Sequence, residues 1–142
     1  MTGDEQQARR RASAHAAAVH ADAQRKAREA QQRKARELVA GFVRDVTARG
    51  IAAVPLTARG YGGRHRYRTG LRGWYLKPDR SIAVGTDGEF YILSVPDSAL
   101  ARVRGARLAP TPPPLTVGEG ARDGETLPLA DLLRLRLDRP LD

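Results

Sequence analysis

Residues 38–58 read LVAGFVRDVTARGIAAVPLTA, and the period of their apolar side chains changes in the middle. Up to Gly50, Leu38, Val39, Phe42, Val43 and Val46 recur at steps of three and four, the spacing of one helix face. Beyond Gly50 the step is two, and Ile51 to Ala58 is predicted to be a strand. Pro55 has no N–H to give a ladder, so it puts that strand at an edge or ends it early. A helix whose only apolar face lies in its last turns, followed at once by strand periodicity, predicts an α+β protein. The expected architecture is a long N-terminal helix docked by its C-terminal end on a small antiparallel sheet of four or five strands, with short C-terminal helices.

Working back from that stretch, residues 4–49 contain no proline and one glycine, Gly41, and are dominated by Ala, Arg, Gln and Glu, which favour helix. Thr2 and Glu5 form a capping box, and Arg49-Gly50 supplies the stop. Asp22 with Lys26 and Glu29 with Arg33 are acid-first pairs four residues apart. At ~1.5 Å per residue such a helix is about 70 Å long. Met1 and Val19 are its only large apolar residues before Leu38, so residues 1–37 are expected to form a basic helical arm. Three uses fit it: a solvated helix held by charge pairs, a basic arm for nucleic acid, or a partner-docking helix. Arg9, Arg10 and Arg11 are consecutive and fan around the axis, which does not make one cationic face.

Working forward, Arg64–Thr69 and Leu71–Lys77 read as a hairpin around Gly70. Ser81–Thr86 and Glu89–Val95 read as a second one around Asp87-Gly88, a two-residue turn signature. That register sets Val84 opposite Tyr91 and Ile82 opposite Leu93 on one buried face, with Phe90 and Ile92 on the other, under the helix. Trp74 and Leu76 are expected in the core with Tyr75 at a rim, or the reverse. Pro96 opens a short helix through about Val103, closed by Gly105. These elements make 38–109 the core domain, PTPPP at 110–114 a stiff linker, and 115–142 an acidic, leucine-rich segment. Within the last, Leu115 to Gly124 is turn-rich, and Leu127–Leu137 forms a helix begun by Pro128. Its Leu129, Leu132, Leu133 and Leu135 either fold back on the chain or meet a partner.

The net charge of +9 is unevenly spread: residues 1–50 carry 11 basic and 6 acidic side chains, 51–109 carry 10 and 4, and 110–142 carry 4 and 6. A positive field over the first two thirds fits nucleic acid, an anionic surface or an acidic partner. With 22 Arg to 3 Lys and no Asn, codon bias of a high-GC bacterial genome accounts for arginine over lysine, though less for base over acid. Cysteine is absent, which removes disulfides and thiolate chemistry, and three scattered histidines predict no metal and no cofactor. The start MTGDEQQARRR lacks a signal-peptide apolar run and no stretch is long enough to span a bilayer, so a cytoplasmic protein without a membrane partner is expected.

The most suggestive composition is Arg59–Tyr75, RGYGGRHRYRTGLRGWY, where five arginines and five glycines occur without an acid. In a strand Arg64, Arg66 and Arg68 share a face at ~6.6–6.8 Å intervals, close to the spacing of phosphates along a nucleic-acid strand. The row is expected either to bind an external polyanion or to be neutralised by neighbouring acids or the acidic tail. The candidate site is Arg59, Tyr61, Arg64, Arg66, Arg68 and Arg72: Arg64, Arg66, Arg68 and Arg72 for phosphates, Arg59 and the glycines to let the loop conform, Tyr61 to stack on a base. The function expected is non-enzymatic binding of nucleic acid or another polyanion. The alternative is a protein-interaction or assembly module that uses residues 1–37 or 127–137. For catalysis, His15, His20, His65, Asp79, Asp87, Glu89 and Ser81 form no recognisable constellation, and Asp87 reads as a turn residue.

Overall fold

The computed structural model describes residues 2–118 and 126–141. Its first element is the expected long helix, α1 (Gly3–Ala48), capped by Thr2, whose hydroxyl accepts the Glu5 N–H at 3.3 Å. The helix ends in a left-handed turn. Gly50 has φ 71°, the Ile51 N–H donates to the Val46 carbonyl at 2.9 Å and the Gly50 N–H to Thr47, which satisfies the last carbonyls. Asp22 pairs with Lys26 at 3.1 Å as the spacing predicts, but Glu29 pairs with Arg25 at 3.2 Å instead of with Arg33.

Five strands follow: β1 (Val54–Gly60), β2 (Arg66–Tyr75), β3 (Ile82–Gly85), β4 (Phe90–Ile92) and β5 (Ser94–Val95). Their order is β4-β3-β2-β1-β5, with antiparallel pairs except for a parallel β1–β5 contact, so the sheet is mixed, not purely antiparallel. The two ends of that order are consecutive in the chain and joined by Leu93 alone. Leu93 donates its N–H to the Ser81 carbonyl and accepts the Arg59 N–H, each at 2.9 Å, so the sheet curls round and meets itself as a small barrel. β1 lies between β2 and β5, but Pro55 sits in the part of it that β5 does not reach, where the strand is paired on the β2 side alone, next to the register shift between Pro55 and Thr57.

Two expected hairpins are corrected. Gly70, at φ 72°, is not a turn but lies inside the continuous strand β2, in a bulge where residues 69–71 face Leu56 alone, and the turn is at 61–65. The second hairpin is real but slipped by one residue. Gly88 (φ 80°) donates to the Gly85 carbonyl and Gly85 to Glu89, so the loop is Thr86-Asp87-Gly88 with a left-handed glycine at its end. The pairs are therefore Ile82↔Ile92, Ala83↔Tyr91 and Val84↔Phe90. A one-residue slip exchanges faces: Ile82, Val84 and Phe90 face the helix, while Ala83, Tyr91 and Leu93 face the barrel interior. Ile92, expected beside Phe90, is exposed.

The core thus has two parts. Inside the barrel lie Leu56, Ala58, Tyr67, Tyr75, Ala83, Tyr91, Leu93 and Val95. Outside it, α1 docks through Ala35, Val39, Phe42 and Val46, one turn longer than the sequence stripe, against Trp74, Leu76, Ile82, Val84 and Phe90. Phe42 meets the Trp74 ring edge-on, centroids 6.2 Å apart, and the Trp74 Nε1–H donates to the Ile51 carbonyl at 3.0 Å. Trp74, Tyr75 and Leu76 are all buried, because each side of β2 has its own core; Tyr75 has no rim position.

The C-terminal part folds back. A short helix α2 (Ala99–Arg104), capped by the Ser98 hydroxyl and ended by Gly105, lays Ala101 against the barrel core. The proline run follows the β4 edge, where the Thr111 N–H donates to Phe90 at 2.8 Å and Pro113 is buried. Two strands that the sequence does not signal, β6 (Thr116–Gly118) and β7 (Thr126–Pro128), pair with each other; the rest of the expected turn-rich stretch lies outside the described residues. Helix α3 (Leu129–Asp138) then buries Leu129, Leu132 and Leu133 against α1 and the sheet. Its fourth inward position is Arg136 rather than Leu135, which is exposed. No helix among the described residues is long and apolar enough to cross a membrane.

Candidate nucleic-acid interface

The β1–β2 ribbon carries the residues singled out by the sequence, and its register decides which of them meet. Ala58 faces Tyr67 across the ribbon and both enter the barrel, so the alternate positions point outward. These are Thr57 opposite Arg68, Arg59 opposite Arg66, and Pro55 opposite Arg72. Arg59, Arg66, Arg68 and Arg72 therefore share the outer face of the ribbon, and all four are exposed. Arg64 does not join the row: it lies in the turn before β2 begins. Tyr61, at the same turn, is 70% exposed and touches no core.

Each guanidinium is held by a neutral oxygen. Arg66 donates to the Thr57 hydroxyl at 2.8 Å and the Thr57 carbonyl at 3.1 Å; Arg68 to the Val103 carbonyl at 3.0 Å; Arg72 to the Ala53 carbonyl at 2.9 Å; Arg59 to the Gly63 carbonyl at 3.4 Å. Among the described residues none of the four forms an ion pair with a carboxylate. Within those residues the C-terminal helix, whose Asp131 and Asp138 are balanced by Arg134 and Arg136, does not cover the row, because α3 packs against α1 with Asp138 paired to Arg49 at 3.5 Å.

The glycines of the turn have a different job from the one their composition suggests. A Cβ on Gly60 would sit 1.9 Å from an Asp97 carboxylate oxygen, and one on Gly62 2.8 Å from the other. The space they leave admits the chain's own anion. Asp97 accepts the Gly62 N–H at 2.6 Å and the Tyr67 hydroxyl at 2.9 Å, while Tyr67 accepts the Ser98 N–H at 3.2 Å. The Gly62 N–H above all, then the Tyr67 hydroxyl, hold the Asp97 carboxyl below the usual carboxylate range; partial desolvation opposes them and the His65 charge adds a little. No signal near residue 60 announces a carboxylate 35 positions away.

Of the other titratable candidates, Asp79 and Asp87 hold turns. Burial works to raise Asp79, but the Ser81 hydroxyl and N–H, with the fields of Lys77 and Arg59, leave its carboxyl below its ordinary value. Asp87 accepts the Glu89 N–H at 2.9 Å and the Tyr91 hydroxyl, as its turn reading requires. Burial first, then the hydrogen bond and charge of Asp87, with Glu89 behind them, push the Tyr91 hydroxyl up to about 12. His15 and His20 are exposed on α1, away from Asp79, Asp87 and Ser81. Among the described residues no three His, Cys, Asp or Glu side chains converge as metal ligands would. Comparisons with protein-family models, curated proteins and solved structures return no match.

Proposed function

We propose that the chain binds nucleic acid or a similar polyanion on the outer face of the β1–β2 ribbon. The observation that carries this reading is the pairing of Arg59 directly opposite Arg66, flanked by Arg68 and Arg72 on the same face, with no carboxylate in ion-pair contact among the described residues. Like charges set directly across a ladder repel, and an anion lying over them relieves that repulsion. The hydrogen bonds to Thr57, Val103 and Ala53 orient the guanidiniums without neutralising them. Arg64 and Tyr61 then act from the turn, one as a further cation and the other as a stacking surface. Guanidinium contacts to phosphates carry no sequence information, so binding held by them is expected to be largely indifferent to sequence.

Fluorescence anisotropy with labelled single-stranded and duplex oligonucleotides tests it. Affinity should fall steeply with salt, and the triple change Arg59→Ser, Arg66→Ser, Arg72→Ser should flatten the log–log salt slope by roughly 0.7–0.9 for each phosphate that is no longer neutralised. Absence of binding at low salt would end the reading. An unchanged slope in the triple variant would move the site elsewhere. A second reading, a partner-docking arm, draws support from the exposure of α1 before Ala35. Its signature is an assembly that survives high salt, since apolar contact is not screened.

A further inference from the structure

A second surface lies beside the ribbon and has different chemistry. Where α2 crosses from β5 to the free margin of β2, it leaves an open groove of about 980 Å³. Val95, Pro96 and Leu100 supply apolar wall, and Arg68, Arg104 and Arg107 stand around it, with no acidic or aromatic residue in its lining among the described residues. Leu100 is 61% exposed and its neighbour Val103 74%, the two most exposed large aliphatic side chains among the described residues. An apolar face of this kind beside three cations is costly in water unless something covers it.

We propose that this groove docks an acidic peptide segment bearing aliphatic side chains, supplied by another protein. The occupant follows from charge and from what the groove lacks. Among the described residues its three arginines face no carboxylate in the lining, so an anionic partner is complementary. It has no ring on which a base could stack, which disfavours an inserted nucleotide. Leu100 in the lining, with Val103 exposed beside it on α2 outside the groove, offers aliphatic contact that a phosphate chain does not use. Asp97, next in sequence to Pro96, is turned away into the Gly62 amide and the Tyr67 hydroxyl, so it does not neutralise the arginines. The proposal stands apart from polyanion binding on the ribbon, from which only Arg68 is shared.

The probe is a fluorescein-labelled peptide of Glu with interspersed Leu, titrated with the full chain beside a Gln/Leu counterpart and a single-stranded oligonucleotide. The acidic peptide should bind and the Gln/Leu peptide should bind more weakly. Arg104→Glu with Arg107→Glu should cost roughly tenfold or more in affinity, and Leu100→Ser several-fold. These side chains are exposed, and circular dichroism checks that the fold is kept. The triple ribbon variant should leave peptide binding unchanged, which separates failure here from failure of the ribbon reading. No peptide binding, or binding indifferent to the Arg104/Arg107 reversal, overturns the proposal. Loss of oligonucleotide binding in that reversal, with peptide binding intact, assigns the groove to nucleic acid instead.

Discussion

The two tight turns of the barrel are built from the same three parts in different orders of sequence. In the β3–β4 turn, Asp87 accepts a backbone N–H and the Tyr91 hydroxyl, and a Cβ on Gly85 would lie 2.4 Å from the carboxylate and 3.0 Å from the Tyr91 ring. In the β1–β2 turn, Asp97 accepts a backbone N–H and the Tyr67 hydroxyl, and a Cβ on Gly60 would lie 1.9 Å from the carboxylate and 3.1 Å from the Tyr67 ring. The first trio spans seven residues of chain, Gly85 to Tyr91. The second draws its aspartate from beyond β5, so it ties the ribbon tip to the start of α2. One turn is a local device; the other is a tertiary clamp that uses the same chemistry.

Enlarging the glycines should break both most strongly. Gly60→Val and Gly85→Val are each expected to lower the unfolding free energy by about 1–3 kcal/mol in denaturant titrations. Asp97→Ala should relieve part of the Gly60→Val penalty in a double-mutant cycle, and Asp87→Ala part of that of Gly85→Val. Removing the hydroxyls comes next. Tyr67→Phe leaves both Asp97 and the Ser98 N–H short of a partner and should cost about 1–2 kcal/mol; Tyr91→Phe affects Asp87 alone and should cost less. Amide exchange sharpens the contrast: Tyr67→Phe should speed exchange at Gly62 and at Ser98, whereas Tyr91→Phe should act only within residues 85–91.

Acid should weaken the remote clamp next. The folded Asp97 carboxyl titrates below its unfolded value, so its contribution is present above the unfolded pKa, near 3.8, and is lost as pH falls through the lower folded value. Asp97→Asn should flatten stability against pH in that acid window and not near neutrality. The smallest effect is spectroscopic. Tyr91 should ionise near 12, well above its ordinary 10.0, and Asp87→Asn should bring that ultraviolet transition down, while Asp97→Asn leaves it in place.

The contrast also explains how far the sequence could be read. The helix, its cap, its docking stripe and the existence of the second hairpin are local signals, carried by residues within a turn or two of one another. The register of that hairpin was not legible, because Asp87-Gly88 suits a two-residue loop as well as the last two positions of a three-residue one. Barrel closure through Leu93 joins residue 59 to residues 93–95, and no periodicity encodes such a pairing. At the candidate site, alternation placed Arg66 and Arg68 on one face. It could not show that Arg59 lies opposite Arg66, that Arg64 falls in the turn, or that the glycines accommodate Asp97. Arg104 and Arg107 gave no signal at all, since nothing local links them to Arg68.

The seam at Leu93 also sets an order of events during synthesis. Helix α1 and the β1–β2 ribbon emerge from the ribosome first, yet β1 has no second neighbour until residues 93–95 arrive. Closing a loop of that length is entropically unfavourable until the contacts it brings are made. The barrel is therefore expected to close late and all at once. The apolar stripe of α1 waits longer still, because Leu129, Leu132 and Leu133 of α3 complete its cover. A nascent chain halted before Leu129 would leave Val39, Phe42 and Val46 partly uncovered and open to whatever chaperone waits at the tunnel exit.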